Sequence, residues 1–194
     1  MKIGLISDTR VRRGEEVPIE VKSAFEGVDK ILHAGGIQTA EVLDWLEQIA
    51  PVTAAGRLDG GQAENPEPFS SEMGGDPRVS ATQVMELAGH KIGMVNELWL
   101  PRVSDEIMPG VIKAHKFEEG AVSQMVQDYF ETTIDIVIFG RTLYALVEEH
   151  DGILFVNSGS PSLPRNLNRL GNVALLELSE GKRDANIIEL SAFR

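Results

Sequence analysis

Apolar residues fall along this chain in short runs whose spacing changes from strand-like to helix-like and back. Ile3 to Ile6 is a compact apolar run stopped by Ser7-Asp8, the form of a buried strand. Pro18 to Phe25 predicts a short helix, with the proline tolerated in its first turn. Lys30 to His33 predicts a second strand ending at Gly35-Gly36. In Thr39 to Ile49, residues Val42, Leu43, Leu46 and Ile49 share one helical face, and Thr39 stands at the N-cap position. Val52 to Ala55 predicts a third strand, ending at Gly56. Strand, helix, strand, helix, strand is the rhythm of a parallel sheet with crossover helices, in which function collects at the carboxyl ends of the strands.

Residues 59 to 80 lack an apolar period and predict a long loop on that same edge. Beyond it the pattern predicts antiparallel pairing. Gln83–Leu87 and Lys91–Val95 flank a turn at Ala88-Gly89-His90, and Tyr144–Glu149 and Ile153–Asn157 flank one at His150-Asp151-Gly152. Asn172–Leu178 and Asn186–Leu190 form a last pair around Glu180-Gly181. Residues 101 to 117 read as irregular, Val122 to Phe130 as a helix, and Ile134 to Phe139 as a strand ending at Gly140. With no repeat or linker in view, the expectation is one domain over residues 1–194.

Composition narrows the function classes. Eighteen Lys and Arg against 30 Asp and Glu give a net charge of −12, a poor match for the phosphate backbone of a nucleic-acid chain. The absence of cysteine removes disulfides, thiolate metal sites and cysteine nucleophiles. The apolar runs are strand-sized, and the N-terminus lacks the build of an export signal, so the expectation is a cytoplasmic protein without a membrane partner.

The strand ends carry Ser7-Asp8-Thr9, His33-Ala34-Gly35-Gly36, Ala55-Gly56-Arg57-Leu58-Asp59 and Phe139-Gly140-Arg141-Thr142, followed by Asn157-Ser158-Gly159-Ser160-Pro161-Ser162-Leu163-Pro164-Arg165. In this order they resemble the calcineurin-like metallophosphoesterase superfamily, in particular its small bacterial and archaeal phosphodiesterase branch, to which the retromer scaffold subunit is also similar. The resemblance runs from Met1 to about Leu190 and is most specific between Asp135 and Arg165. It implies a four-layer α/β/β/α sandwich of the metallophosphoesterase type, with a two-metal site at the strand ends. Such a site clamps a phosphate and activates water for in-line attack.

The family's ligand pattern is Asp-x-His, Gly-Asp, Gly-Asn, a later His, and Gly-His-x-His. Against it, Asp8 remains, but Arg10, Gly36, Arg57, Asn96, Arg141 and Leu143 occupy the other ligand positions. Gly36 replaces the carboxylate that both ions would share. Arginine offers donors only and stays protonated, so it repels a metal ion. The resemblance therefore implies a phosphodiesterase fold without the family's cofactor metals and without its chemistry. Guanidinium groups hold phosphate and carboxylate oxygens by paired hydrogen bonds. The expectation is a ligand pocket of Asp8, Arg10, Arg57, Asn96 and Arg141 for a small anion, phosphate or nucleotide, with Asp8 and Asn96 orienting the arginines. Separate structural ion pairs are the plainer reading of each arginine taken singly.

Two other readings stay open: a phosphoesterase with one metal on Asp8, His33, Asp59 and Asn96, and a metal-free hydrolase using the arginines for transition-state charge. A protein partner or a second copy is a further possibility. His33 reads as hydrogen-bonded scenery, and His90, His115 and His150 as solvated. Gly35-Gly36 is a weak phosphate-loop signal, and Ser158-Gly159-Ser160 only superficially resembles a nucleophile elbow. Asp59 matches a family position, and Arg165 is expected to pin its loop. Leu98 and Trp99 are expected at the rim of the site, and Leu143 to fill core.

Overall fold

The computed structural model describes residues 1–56, 75–163 and 166–194. Two sheets pack face to face. The first has the order β13-β12-β1-β2-β3-β4, made of Lys182–Glu189, Asn172–Ser179, Lys2–Ile6, Lys30–His33, Val52–Ala55 and Val79–Ser80. Its β1 to β4 run parallel, as the apolar rhythm predicts, while β12 and β13 are antiparallel additions. The second has the order β5-β6-β7-β9-β8, made of Thr82–Leu87, His90–Val95, Ile136–Phe139, Ile153–Ser158 and Ala145–His150. A small antiparallel ladder joins β10 (Ser162–Leu163) to β11 (Asn166–Leu170). The helices are α1 (Glu20–Ala24), α2 (Ala40–Glu47), α3 (Val111–Ala114) and α4 (Ala121–Phe130).

Side-chain alternation along the strands builds three apolar layers between the four layers of backbone. Ile3, Leu5, Leu32 and Leu176 of the first sheet meet Ile92, Met94, Ile138 and Val156 of the second. On the opposite face of the first sheet, Ile6, Ile31 and Val52 pack under Val21, Phe25, Leu43 and Leu46 of the α1–α2 side. Outside the second sheet, Val137, Phe139 and Phe155 pack under Val122, Val126 and Phe130 of α4. Two glycines permit close approach of aromatic rings: a Cβ at Gly4 would come within 2.9 Å of Phe25, and one at Gly93 within 2.8 Å of Phe130. The expected α/β/β/α sandwich is present.

Several sequence expectations need correction. The second sheet is mixed, because β6, β7 and β9 run parallel and only β5 and β8 are antiparallel. Strand β4 lies inside the stretch read as loop, α3 inside the segment read as irregular, and β13 begins at Lys182 rather than Asn186. Thr39 does precede α2, but its hydroxyl donates to the Arg12 carbonyl instead of capping the helix. The start of α4 is capped from afar: Asp151, in the turn between β8 and β9, accepts from the Val122 and Ser123 amides at 2.8 and 3.3 Å. Among the described residues, no helix is long and apolar enough to cross a membrane.

Candidate functional site

Parallel pairing carries the ends of β1, β2 and β3 to one edge of the first sheet, and the ends of β6, β7 and β9 to the facing edge of the second. Hydrogen bonds stitch these ends together. The Asp8 amide donates to the Gly35 carbonyl at 2.7 Å, the Arg10 amide to Gly36 at 3.0 Å, and the Gly140 amide to Asn96 at 2.9 Å. Across the sheets, the Ser7 hydroxyl donates to the Gly159 carbonyl at 2.7 Å and the Ser160 hydroxyl to the Asp8 carbonyl at 2.9 Å. A Cβ at Gly140 would stand 2.4 Å from the Ala34 carbonyl oxygen, so only glycine fits where the two sheets meet. Asp8, Arg10, Arg141 and Leu143 all take positive φ, between 50° and 73°. For side chains other than Gly and Asx this costs roughly 1–2 kcal/mol each, so the surroundings hold the loops in place.

Asp8 is the centre of the cluster and is only 1% exposed. Its Oδ1 accepts from Arg10 Nη2 at 2.9 Å and from Nε at 3.2 Å, while its Oδ2 accepts from the Arg141 backbone amide at 2.8 Å. Burial pushes the Asp8 carboxyl above its ordinary value, against the Arg10 charge and hydrogen bond and the Arg141 amide, all of which lower it. Arg10 also reaches the Arg141 carbonyl at 3.4 Å. The Arg141 guanidinium is half exposed and meets Glu97 at 3.9 Å, and its charge also acts to lower the Asp8 carboxyl.

The structure therefore brings together Asp8, Arg10, the Arg141 backbone and Asn96, but not in the roles expected of all of them. Asp8 does orient Arg10. Asn96 bonds no arginine among the described residues; its Nδ2 donates to the Ala34 carbonyl at 2.9 Å and ties the two sheets. Arg57, Asp59 and Arg165 lie outside the described residues. His33 is fully buried, and its Nε2 contacts the Thr9 hydroxyl at 3.2 Å. Strand alternation puts its ring on the helix-covered face with Ile31, not on the Leu32 face between the sheets.

Other placements also differ from expectation. Leu98 is buried in the apolar layer under α4, whereas Trp99 is exposed at the rim. Leu143 is half-buried and belongs to no apolar cluster, so it does not fill core. His90, expected to be solvated, is buried, with Nε2 placed 2.9 Å from the Ser179 carbonyl and 3.1 Å from that of Lys182. His115 bonds the Val111 carbonyl and stacks on Phe117, and His150 pairs with Glu148 at 2.8 Å. Ser158 and Ser160 are buried in the network beneath Asp8, with no oxygen presented as a nucleophile. Sequence reasoning missed Glu97 and Thr9; each directly adjoins a residue it had singled out, which is the one signal available.

Removing Arg10 tests the cluster. Arg10→Met is expected to destabilise the fold by about 2 kcal/mol at neutral pH, below the 3–5 kcal/mol of a fully buried broken pair because Arg10 is 35% exposed. The carboxyl would then rise further, so the loss should shrink as the pH falls and Asp8 takes a proton. Urea unfolding across pH reads both effects; a pH-independent loss would mean that the charge pair is not its source.

Two helix-flanked sheets, with the ends of their parallel strands gathered at one edge, define the metallophosphoesterase-type sandwich. Residues 1–181 match the calcineurin-like phosphoesterase superfamily domain, and the chain belongs to that superfamily. It is 29% identical over 194 residues to a "probable metallophosphoesterase" of Methanothermobacter thermautotrophicus, covering 99% of this chain and 94% of that protein. Among solved structures, vacuolar protein sorting 29 of Cryptosporidium parvum superposes with a TM-score of 0.62 at 21% identity, over 97% of this chain and 96% of the other. An archaeal phosphodiesterase superposes with a TM-score of 0.59 at 16% identity, over 97% and 100%.

Proposed function

We propose that this chain is a noncatalytic member of the superfamily, a binding protein whose strand-end site works without metal. The observation that carries the reading is the pair of hydrogen bonds that Arg10 donates to Asp8 Oδ1, with Oδ2 taken by the Arg141 amide. A carboxylate held on both oxygens beside a guanidinium is a poor ligand for a divalent ion. The described donor set does not fit a two-metal centre. No group of three or more His, Asp or Glu side chains among the described residues stands close enough to share an ion. The described residues of the one-metal set offer little more: His33 stands on the helix-covered face with Nε2 on Thr9, and Asn96, whose Nδ2 donates to Ala34, has only its Oδ1 to give beside the engaged Asp8.

What the site binds follows from the charges that remain open. Arg10 keeps a third of its side chain in water and Arg141 half, and among the described residues Arg141 has only a 3.9 Å ion-pair contact, to Glu97. Those donors suit a small phosphate-like anion. A protein partner at the same edge is the second reading.

Elemental analysis of the purified protein and hydrolysis of a chromogenic phosphodiester with added manganese test the first part. We expect no stoichiometric metal and no turnover above buffer. Bound metal with turnover would establish a working phosphoesterase and overturn the proposal. Calorimetry with inorganic phosphate tests the anion: weak binding, lost in Arg141→Gln, is expected, and no heat from the parent protein would leave the partner reading in its place.

A further inference from the structure

Beside the strand-end cluster lies a cavity of about 140 Å³, between the segment after β6 and the loop after β7. Its floor is apolar, made by the buried side chains of Leu98, Ile107 and Phe139. Its rim carries Glu97, Asp105, Glu106 and Arg141, and one wall is Trp99. Trp99 is 63% exposed, an unusual amount of water-facing surface for the largest apolar side chain.

The charges around the cavity are unbalanced. Three carboxylates face one guanidinium, a net of 1 − 3 = −2. Glu97 has the loose Arg141 contact, whereas no ion pair involves Asp105 or Glu106 among the described residues. Carboxylates spaced around an apolar floor fit a ligand with an alkyl stem and a cationic head. The stem buries carbon on the floor while the head stays at the mouth. Independently of charge, an exposed indole face attracts a cation within about 6 Å of its centroid, with guanidinium preferred for its planarity and weak hydration. Aromatic wall, apolar floor and unpaired carboxylates all select the same chemistry.

We propose that this cavity is a binding site for an alkyl guanidinium or alkyl ammonium group, with Trp99 as its aromatic wall and Asp105 and Glu106 as its anionic rim. The proposal goes beyond the anion site and does not depend on it: it uses Trp99, Asp105 and Glu106, which take no part in the Asp8 cluster. The same group occurs on a small free amine or on an arginine side chain of a protein.

The full chain is titrated at low ionic strength with agmatine and with the capped peptide Gly-Arg-Gly, alongside Gly-citrulline-Gly as the neutral isostere. Binding is followed by calorimetry and by the indole NMR signal of Trp99. Trp45, the other tryptophan, is half-buried with Lys22 over its ring and serves as an internal control. Saturable binding of the guanidinium probes is expected, with a shift at Trp99 and not at Trp45 and no response to citrulline. Asp105→Asn with Glu106→Gln should weaken binding about tenfold, as should Trp99→Ala. These side chains are exposed, so the variants should melt with the parent. Agmatine binding at least as tightly as the peptide identifies a free amine as the ligand source; tighter peptide binding identifies a protein side chain. No saturable binding by either probe, equal binding of citrulline, or affinity unchanged in the variants would overturn the proposal.

Discussion

Gly36→Asp, which puts a carboxylate where the family resemblance would expect a shared one, is expected to lower the melting temperature by about 10 °C and to gain no metal. Gly36 has φ 72°, and a Cβ there would lie 2.7 Å from both Asp8 Cα and Asp8 Oδ1. The first of those atoms is backbone and cannot turn aside. Overpacking of this kind costs about 1–3 kcal/mol, and the left-handed conformation adds about 1 kcal/mol. A total near 3 kcal/mol shifts the midpoint of a domain this size by roughly 2–4 °C per kcal/mol. Gly36→Ala measures the steric part alone. Manganese should stabilise neither variant while Arg10 holds Asp8; adding Arg10→His to Gly36→Asp is the least change that frees both carboxylates. A Gly36→Asp protein that melts within 2 °C of the parent would show that the β2 end relaxes freely, and one stabilised by manganese would undo the argument from Arg10.

The parts of this molecule legible in its sequence are those with a one-dimensional signature. The stripe of Val42, Leu43 and Leu46 in α2 and the runs of β1, β2 and β3 all lie where apolar period places them. Strand direction is not periodic. β6 and β7 pair parallel because the long crossover containing α4 returns the chain to the starting edge, and an apolar run reads the same either way. Two-residue β4 and four-residue α3 are too short to show a period. At the site, the motif order pointed to Asp8, Arg10 and Asn96, which stand together at the strand ends. It was silent on their partners, because many are backbone groups: the Arg141 amide on Asp8, the Ala34 carbonyl on Asn96, the Ser179 and Lys182 carbonyls on His90. A donor that every residue carries leaves no mark in the sequence.

The same blindness hid the group expected to govern acid stability. His33 is fully buried, and with the Thr9 hydroxyl donating to the Gly36 carbonyl, Nε2 carries the proton towards Thr9 while Nδ1 has no hydrogen-bond partner among the described residues. Burial pulls this imidazole from its ordinary 6.5 down to about 3. In that window the unfolded chain binds a proton that the folded one refuses, so stability falls as the pH drops below 6.5 and the loss is complete near 3. The full effect is on the order of 4 kcal/mol, of which about 2 kcal/mol should be gone by pH 5. Asp76, held low chiefly by its Arg78 hydrogen bond, adds to the loss only below its ordinary 3.8. Asp8 works the other way: its folded carboxyl is raised, so protonation as the pH falls through that value favours the folded state and offsets part of the His33 loss. Thermal melts between pH 7.5 and 4.5 should therefore slope downward with acid, and His33→Phe, which keeps a ring but cannot titrate, should flatten the upper part of that slope whatever it does to stability at pH 7.5. A parent protein equally stable at pH 7.5 and 5 would place a proton on His33 in the folded state and with it a partner on Nδ1.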